Sequence, residues 1–259
     1  MRRAVPWIGL LLLAISFIWL IRIPAPREQR IAPARKPAPP VKHPFVVVLD
    51  PGHGGDDSGA ICGDVLEKDL TLDVAQRAES LLRGAGFTTV MTRDRDEQVS
   101  LADRVSLGNR DSTSLFVSIH FNDDGKKSAA VGVETYYSPV QSTRPSFLSW
   151  LPFLHPVASG PLTAKSETLA SYLQTALVAR TGAVDRGIKT EPFYVIENMR
   201  HPAALIEGGF ITNKEEVAKL ATAQYREQLA KAICEGVRGY RTAVEHGEPT
   251  FALAAAPPE

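Results

Sequence analysis

Phe45-Val-Val-Val-Leu-Asp-Pro-Gly-His-Gly-Gly55 sets a run of branched apolar residues directly against a turn built from Pro51 and glycines. A run of that length and composition, stopped by Pro-Gly, reads as a buried strand that delivers a loop. Glu67 to Arg83 follows with apolar residues at helical spacing (Leu70, Val74, Ala78, Leu81, Leu82) and with Gly84 and Gly86 as stop signals. Strand, glycine loop and helix form the first unit.

The alternation continues outward along the chain. Thr88 to Thr92 reads as a strand, Ser100 to Asn109 as a helix, Leu115 to His120 and Val131 to Tyr137 as strands, and Ser166 to Arg180 as a long helix. Phe193 to Ile196 and Ala203 to Glu207 read as short strands, and Ala223 to Tyr240 as a closing helix. The predicted fold class is α/β: a three-layer domain with a central mostly parallel or mixed sheet flanked by helices. In open sheets of this kind ligands gather at the carboxyl ends of strands. His53 follows the first strand, His120 and Glu207 end two others, and Glu67 opens the helix after the glycine loop, so four distant residues converge on one edge.

Two imidazoles and a carboxylate can hold a zinc ion with one position open to water, and a second carboxylate can then act as the base. Each residue alone has a blander reading. A lone histidine after an apolar strand, as at His120, is more often a hydrogen-bonded core residue, and Glu67 could simply favour a helix N-terminus through the dipole. Glu207, between Leu205-Ile206 and Gly208-Gly209, is harder to dismiss, because a carboxylate ending an apolar strand needs a partner. The loop Gly52 to Ala60 brings glycines around His53, giving a backbone that turns sharply and lets substrate approach a metal. His43, His155, His201 and His246 lack such settings. Together the four residues point to a metal hydrolase.

At 259 residues, 44% hydrophobic and 22% charged, the chain has room for one substantial domain plus appendages, and it is not a disordered protein overall. Its zero formal charge hides an asymmetry: residues 1–44 carry eight Lys/Arg against Glu28 alone, which leaves residues 45–259 with 21 basic and 28 acidic side chains, a net of −7. Such a body is not built to bind nucleic acid or anionic lipid through bulk charge. Met1-Arg-Arg3 precedes an uncharged, mostly apolar run from Ala4 to Ile21, so residues 1–23 read as a signal peptide or a signal anchor. The bulky end Phe17-Ile-Trp-Leu-Ile21, with no clear small-x-small cleavage site after it, weighs toward an anchor held in the membrane by residues 4–21, and cleavage stays open. Export to the periplasm or another extracytoplasmic space is expected either way. Residues 24–44 hold seven prolines and read as an extended linker of ~3.1 Å per residue. The catalytic body is expected over 45–241, with a frayed tail over 242–259, and whether Cys62 and Cys234 pair is open.

From Val46 to about Tyr240 the chain resembles the zinc-dependent N-acetylmuramoyl-L-alanine amidases of the type-3 group, bacterial cell-wall hydrolases. The resemblance rests on Asp50-Pro-Gly-His-Gly-Gly-Asp-Asp-Ser-Gly-Ala60, Glu67, Thr92-Arg-Asp94 with Ser100-Leu-Ala-Asp-Arg104, Ser118-Ile-His-Phe-Asn122, Phe193-Tyr-Val-Ile196 and Pro202-Ala-Ala-Leu-Ile-Glu-Gly-Gly-Phe-Ile-Thr-Asn213. It implies that His53, Glu67 and His120 bind one Zn2+ ion and that Glu207 is the catalytic carboxylate. The implied reaction cuts the amide between the lactyl group of N-acetylmuramic acid and L-alanine in peptidoglycan, for wall remodelling or cell separation. Asn122, two residues past a ligand, is a candidate substrate contact, and Asp57 and Asp123 are expected to support the site rather than ligate. Arg93 and Arg104 could be structural ion-pair partners.

Some members of that group carry a regulatory helix that blocks the zinc with an acidic side chain. The corresponding stretch here, Ser138 to Thr163, holds no Asp or Glu, so the expectation is that it does not self-inhibit that way; its aromatic residues line a groove, dock a protein activator, or pack locally. Two rival functions share the motifs: a zinc peptidase cutting within stem peptides, and a non-catalytic wall-binding or activator protein on the same fold.

Overall fold

The apolar run at the start of the body forms β1 (Val46–Pro51), every residue of which is buried. In this computed structural model the described residues are 45–112, 114–125, 129–141 and 160–247, all within the unit His43–Glu259. The export segment, the proline-rich linker, most of the 138–163 stretch and the end of the tail lie outside them.

After β1 come the two-residue strands β2 (Ile61–Cys62) and β3 (Val65–Leu66), which pair with each other, then α1 (Glu67–Gly84) and β4 (Thr88–Met91). The chain continues through α2 (Leu101–Gly108), β5 (Ser114–Asn122), β6 (Val133–Tyr137), α3 (Pro161–Thr181), β7 (Asp185–Thr190) and α4 (Tyr194–Glu197). It closes with β8 (Ala203–Phe210), α5 (Lys214–Leu220) and α6 (Ala223–His246). Helix starts follow local chemistry. Ser100 accepts from Asp103 N, Asn213 from Glu215 N and Glu216 N, and Thr222 from Tyr225 N, which satisfies amides that have no partner inside the helix.

The main sheet has the order β4-β1-β5-β8-β6-β7. Strands β4, β1, β5 and β8 are mutually parallel; β6 runs antiparallel to β8, and β7 is parallel to β6. The sheet is therefore mixed. Because successive strand residues face opposite sides, each strand serves two environments. Val47, Leu49, Leu115, Val117, Ile119, Phe121, Ala204 and Ile206 join a large core with residues of α1, α3 and α6. Val46, Val48, Phe116, Ala203 and Leu205 meet a smaller cluster with Val195, Ile196 and Met199. Among the described residues, one face thus carries three helices of 18 to 24 residues, and the other the short α2 and α4.

Several expectations need correction. Phe193 to Ile196 is no strand: Tyr194–Glu197 is one helical turn whose Val195 and Ile196 are buried in the smaller cluster. Strand β7 replaces it at the sheet edge, and β8 runs on through both glycines to Phe210. The frayed tail was expected from 242, whereas α6 continues to His246 and ends at Gly247 with φ 64°. Cys62 and Cys234 are both free thiols, and among the described residues no helix is long and apolar enough to cross a membrane.

Candidate metal centre

His53 leaves β1 on a backbone with φ 59°, a left-handed conformation uncommon outside glycine and characteristic of strained functional loops. A buried scaffold holds it there. Asp50, 1% exposed, accepts hydrogen bonds from Thr92 Oγ1 (2.6 Å), Arg104 Nη1 (2.6 Å) and Ser118 Oγ (2.8 Å). Arg104 also donates to the carbonyls of Pro51 (2.7 Å) and His53 (2.7 Å), and Arg93 donates to those of Pro51 (3.1 Å) and Gly52 (2.7 Å). Arg104 is thus an ion-pair partner, of Asp50, while Arg93 grips backbone carbonyls. Asp50→Ala would strand the buried Arg104 charge, and we expect a loss of about 3–5 kcal/mol of stability by urea unfolding. A loss below about 1 kcal/mol would show that the scaffold does not depend on this pair.

Glu67 sits at the first position of α1, 4% exposed, and its carboxylate is the hub of the site. Oε1 lies 3.1 Å from His53 Nε2 and 3.0 Å from His120 Nδ1, and accepts from Phe121 N at 3.0 Å. Oε2 accepts from Ala60 N at 2.9 Å. Burial opposes ionisation of this carboxyl, but the hydrogen bonds from His120 and His53 outweigh it and hold Glu67 well below the usual carboxylate range. Asp57 Oδ2 bonds His53 Nδ1 at 2.9 Å, which turns Nε2 toward Glu67. Burial alone would lower the His53 pKa; Glu67 and Asp57 reverse that and raise it. Asp123 plays no part here, its Oδ1 accepting from Gly125 N in a local turn.

Two glycines leave the room the imidazoles occupy. A Cβ on Gly52 would fall 2.2 Å from His120 Cε1, and one on Gly59 would fall 2.6 Å from Glu67 Oε2 and 2.7 Å from His53 Cδ2. The His53 and His120 rings meet edge to face, with centroids 4.9 Å apart.

His120 and Glu207 are register partners on the parallel strands β5 and β8, and Glu207 is in turn the register partner of Glu134 on the antiparallel strand β6. The three form a row across the sheet at ~4.8 Å per strand, on the thinly covered face. Glu207 Oε2 is enclosed and, among the described residues, has no hydrogen-bond partner. Burial first, then the charges of Glu67 and Glu134, push the Glu207 carboxyl well above its ordinary range. Glu134, unlike the partly exposed Glu207, is buried as a whole residue, and it is saturated: Oε1 accepts from Asn122 Nδ2 and Tyr136 Oη (2.6 Å each), and Oε2 from Arg186 Nε (2.7 Å) and Lys189 Nζ (2.5 Å). Burial resists its ionisation, yet Lys189, Tyr136 and Arg186 lower its pKa.

The structure therefore brings His53, Glu67, His120 and Glu207 together, and it places Asn122 against Glu134. His120 and Glu207 do not end their strands, since β5 runs two residues further and β8 three. Glu134 was missed, although an acid inside the apolar strand Val133-Glu-Thr-Tyr-Tyr137 carries the same signal that drew attention to Glu207.

One donor atom from each of His53, Glu67 and His120 lies within 4.8 Å of the other two, and nitrogen and carboxylate donors in a two-to-one ratio fit a catalytic divalent metal. An α/β domain with such a group beside the enclosed Glu207 Oε2 fits the class of metal-dependent hydrolases. The family profile described as N-acetylmuramoyl-L-alanine amidase matches residues 47–239, and the chain belongs to that family. It is 36% identical to the N-acetylmuramoyl-L-alanine amidase LytC of Bacillus subtilis over 81% of this chain, yet spans only 38% of that relative. It is 29% identical to the germination-specific N-acetylmuramoyl-L-alanine amidase of the same organism, over 96% of this chain and 99% of that one. Among solved structures, the N-acetylmuramoyl-L-alanine amidase of Clostridium difficile 630 superposes with a TM-score of 0.66 at 32% identity, over 77% of this chain and 98% of the other.

Proposed function

We propose that this protein is an exported, zinc-dependent N-acetylmuramoyl-L-alanine amidase, cutting the amide between N-acetylmuramic acid and L-alanine in peptidoglycan during wall remodelling or cell separation. The observation that carries the reading is Glu207, whose Oε2 is enclosed and has no hydrogen-bond partner among the described residues, in register with His120 of the group that could hold a metal. In this reading His53, Glu67 and His120 hold one zinc ion. When bound, zinc supplies Lewis acidity, lowering the pKa of water toward ~7 and polarising a carbonyl.

The chain's own groups do the rest. Glu207 takes the proton of the attacking water and delivers it to the leaving L-alanine nitrogen. Asp57 keeps His53 in one tautomer, and the Asp50–Arg104 scaffold fixes the loop. Asn122 is our candidate substrate contact. Its Nδ2 donates one hydrogen bond to Glu134, which leaves its second N–H and Oδ1 for a substrate. Residues 1–23 direct export, 24–44 act as a linker, and the catalytic domain covers 45–241.

Full-length protein incubated with purified cell wall is expected to release peptides that begin with L-alanine, leaving sugar strands with free lactyl carboxylates, as read by mass spectrometry. Release of fragments cut inside the stem peptide, with the sugar–alanine amide intact, would overturn the reading in favour of a peptidase.

A further inference from the structure

Beyond Glu207 the row across the sheet ends in a cluster with more positive charge than its one carboxylate requires. Arg186 and Lys189 project from the edge strand β7 onto the same oxygen of Glu134. Either one alone would pair that buried carboxylate, so the second is not needed to hold it. Both side chains are about a third exposed, at 34% and 37%. Arg186 engages Glu134 through Nε alone, and among the described residues its two terminal amino groups have no hydrogen-bond partner. Its guanidinium lies 4.8 Å from the centroid of the Phe210 ring, which steadies its plane. A guanidinium with its outer donors unengaged matches a carboxylate well.

We propose that Arg186 and Lys189 form a carboxylate-binding subsite that selects stem peptides in which the residue after L-alanine bears a free carboxylate. The proposal rests on the amidase reading given above. Geometry supports the assignment: an extended residue spans ~3.5 Å and neighbouring strands lie ~4.8 Å apart. A carboxylate one residue beyond an amide poised at Glu207 therefore falls about one strand away, where Glu134 gathers its two cations. Charge supports it too, because residues 45–259 carry a net −7 and would repel an anionic peptide without a local cationic landing point.

The test uses full-length, zinc-loaded protein and two soluble muramyl peptides that differ only at the residue after L-alanine, which carries a free carboxylate in one and a carboxamide in the other. Wild-type protein is expected to favour the acid by about tenfold or more in kcat/KM, mostly through KM. The triple variant Glu134→Gln, Arg186→Gln, Lys189→Gln removes both cations without leaving a buried charge unpaired, and should bring the ratio close to one. Arg186→Gln alone, which leaves Glu134 paired with Lys189, should lower the ratio by about threefold or more and serves if the triple variant does not fold. Arg186→Lys should retain part of the preference. Equal cleavage of both peptides by wild-type protein, or a preference that survives in the variants, refutes the subsite and leaves the amidase reading standing. Cleavage of neither peptide and of no intact wall removes both.

Discussion

Glu207→Gln in the full-length protein is expected to lower hydrolytic turnover by about 10²–10⁴-fold while the bound metal stays at the wild-type level. Glutamine keeps the shape of the side chain and cannot take the proton that Glu207 would move. The same substitution should not destabilise the fold. Glu207 Oε2 is enclosed without a partner among the described residues, and the neighbouring Glu67 and Glu134 charges add repulsion. Replacing that carboxylate by a neutral amide relieves a penalty rather than removing a bond, so the metal-free variant should melt at or above the metal-free wild type. Turnover on purified cell wall, metal content and melting temperature measured together make the case. Retained turnover in a metal-loaded variant sinks the role assigned to Glu207, and lost metal would move Glu207 into the binding group.

Glu67→Ala should abolish both metal binding and turnover, and unlike the Glu207 variant it should also weaken the fold. The carboxylate faces a nitrogen of each imidazole, and it accepts the backbone amides of Phe121 and Ala60. Leaving such amides without acceptors costs about 1–3 kcal/mol each where they stay dry. In wild-type protein, removing metal with a chelator should stop hydrolysis, and adding Zn2+ should restore it where Mg2+ does not, since a two-nitrogen, one-carboxylate set suits zinc. Elemental analysis beside turnover checks both arms. Undiminished hydrolysis in thoroughly metal-depleted protein would falsify the zinc proposal.

Much of this arrangement was legible in the chain because its signals are local. The buried run before Asp50, the glycine loop and the apolar spacing of α1 each state their own structure, and the apolar strands around His120 and Glu207 marked them out, although both residues lie inside those strands rather than at their ends. Other parts depend on neighbours. Asp185-Arg-Gly-Ile-Lys-Thr190 has no apolar run, and it is a strand because β6 offers it an open edge. Phe193-Tyr-Val-Ile196 is too short for period to separate strand from helix, and α4 was decided by the hollow it fills with Val195 and Ile196. Gly208-Gly209 reads as a break, yet pairing carries β8 through it to Phe210. Within the site, Arg93 and Arg104 gave no hint in sequence of the carbonyls they grip, because such partners carry no side-chain signature.

The uneven covering of the two sheet faces has a consequence for how this sequence can vary. Along Ser118, Ile119, His120 and Phe121, each step of one residue crosses from the open face to the helix-covered one. Neighbours in the chain therefore answer to different selection: one is held by the reaction, the next by the need to fold at all. Lineages could vary the exposed positions of the short α2 and α4 while keeping Arg104, whose guanidinium fixes the His53 loop, and inherit the three-helix side untouched.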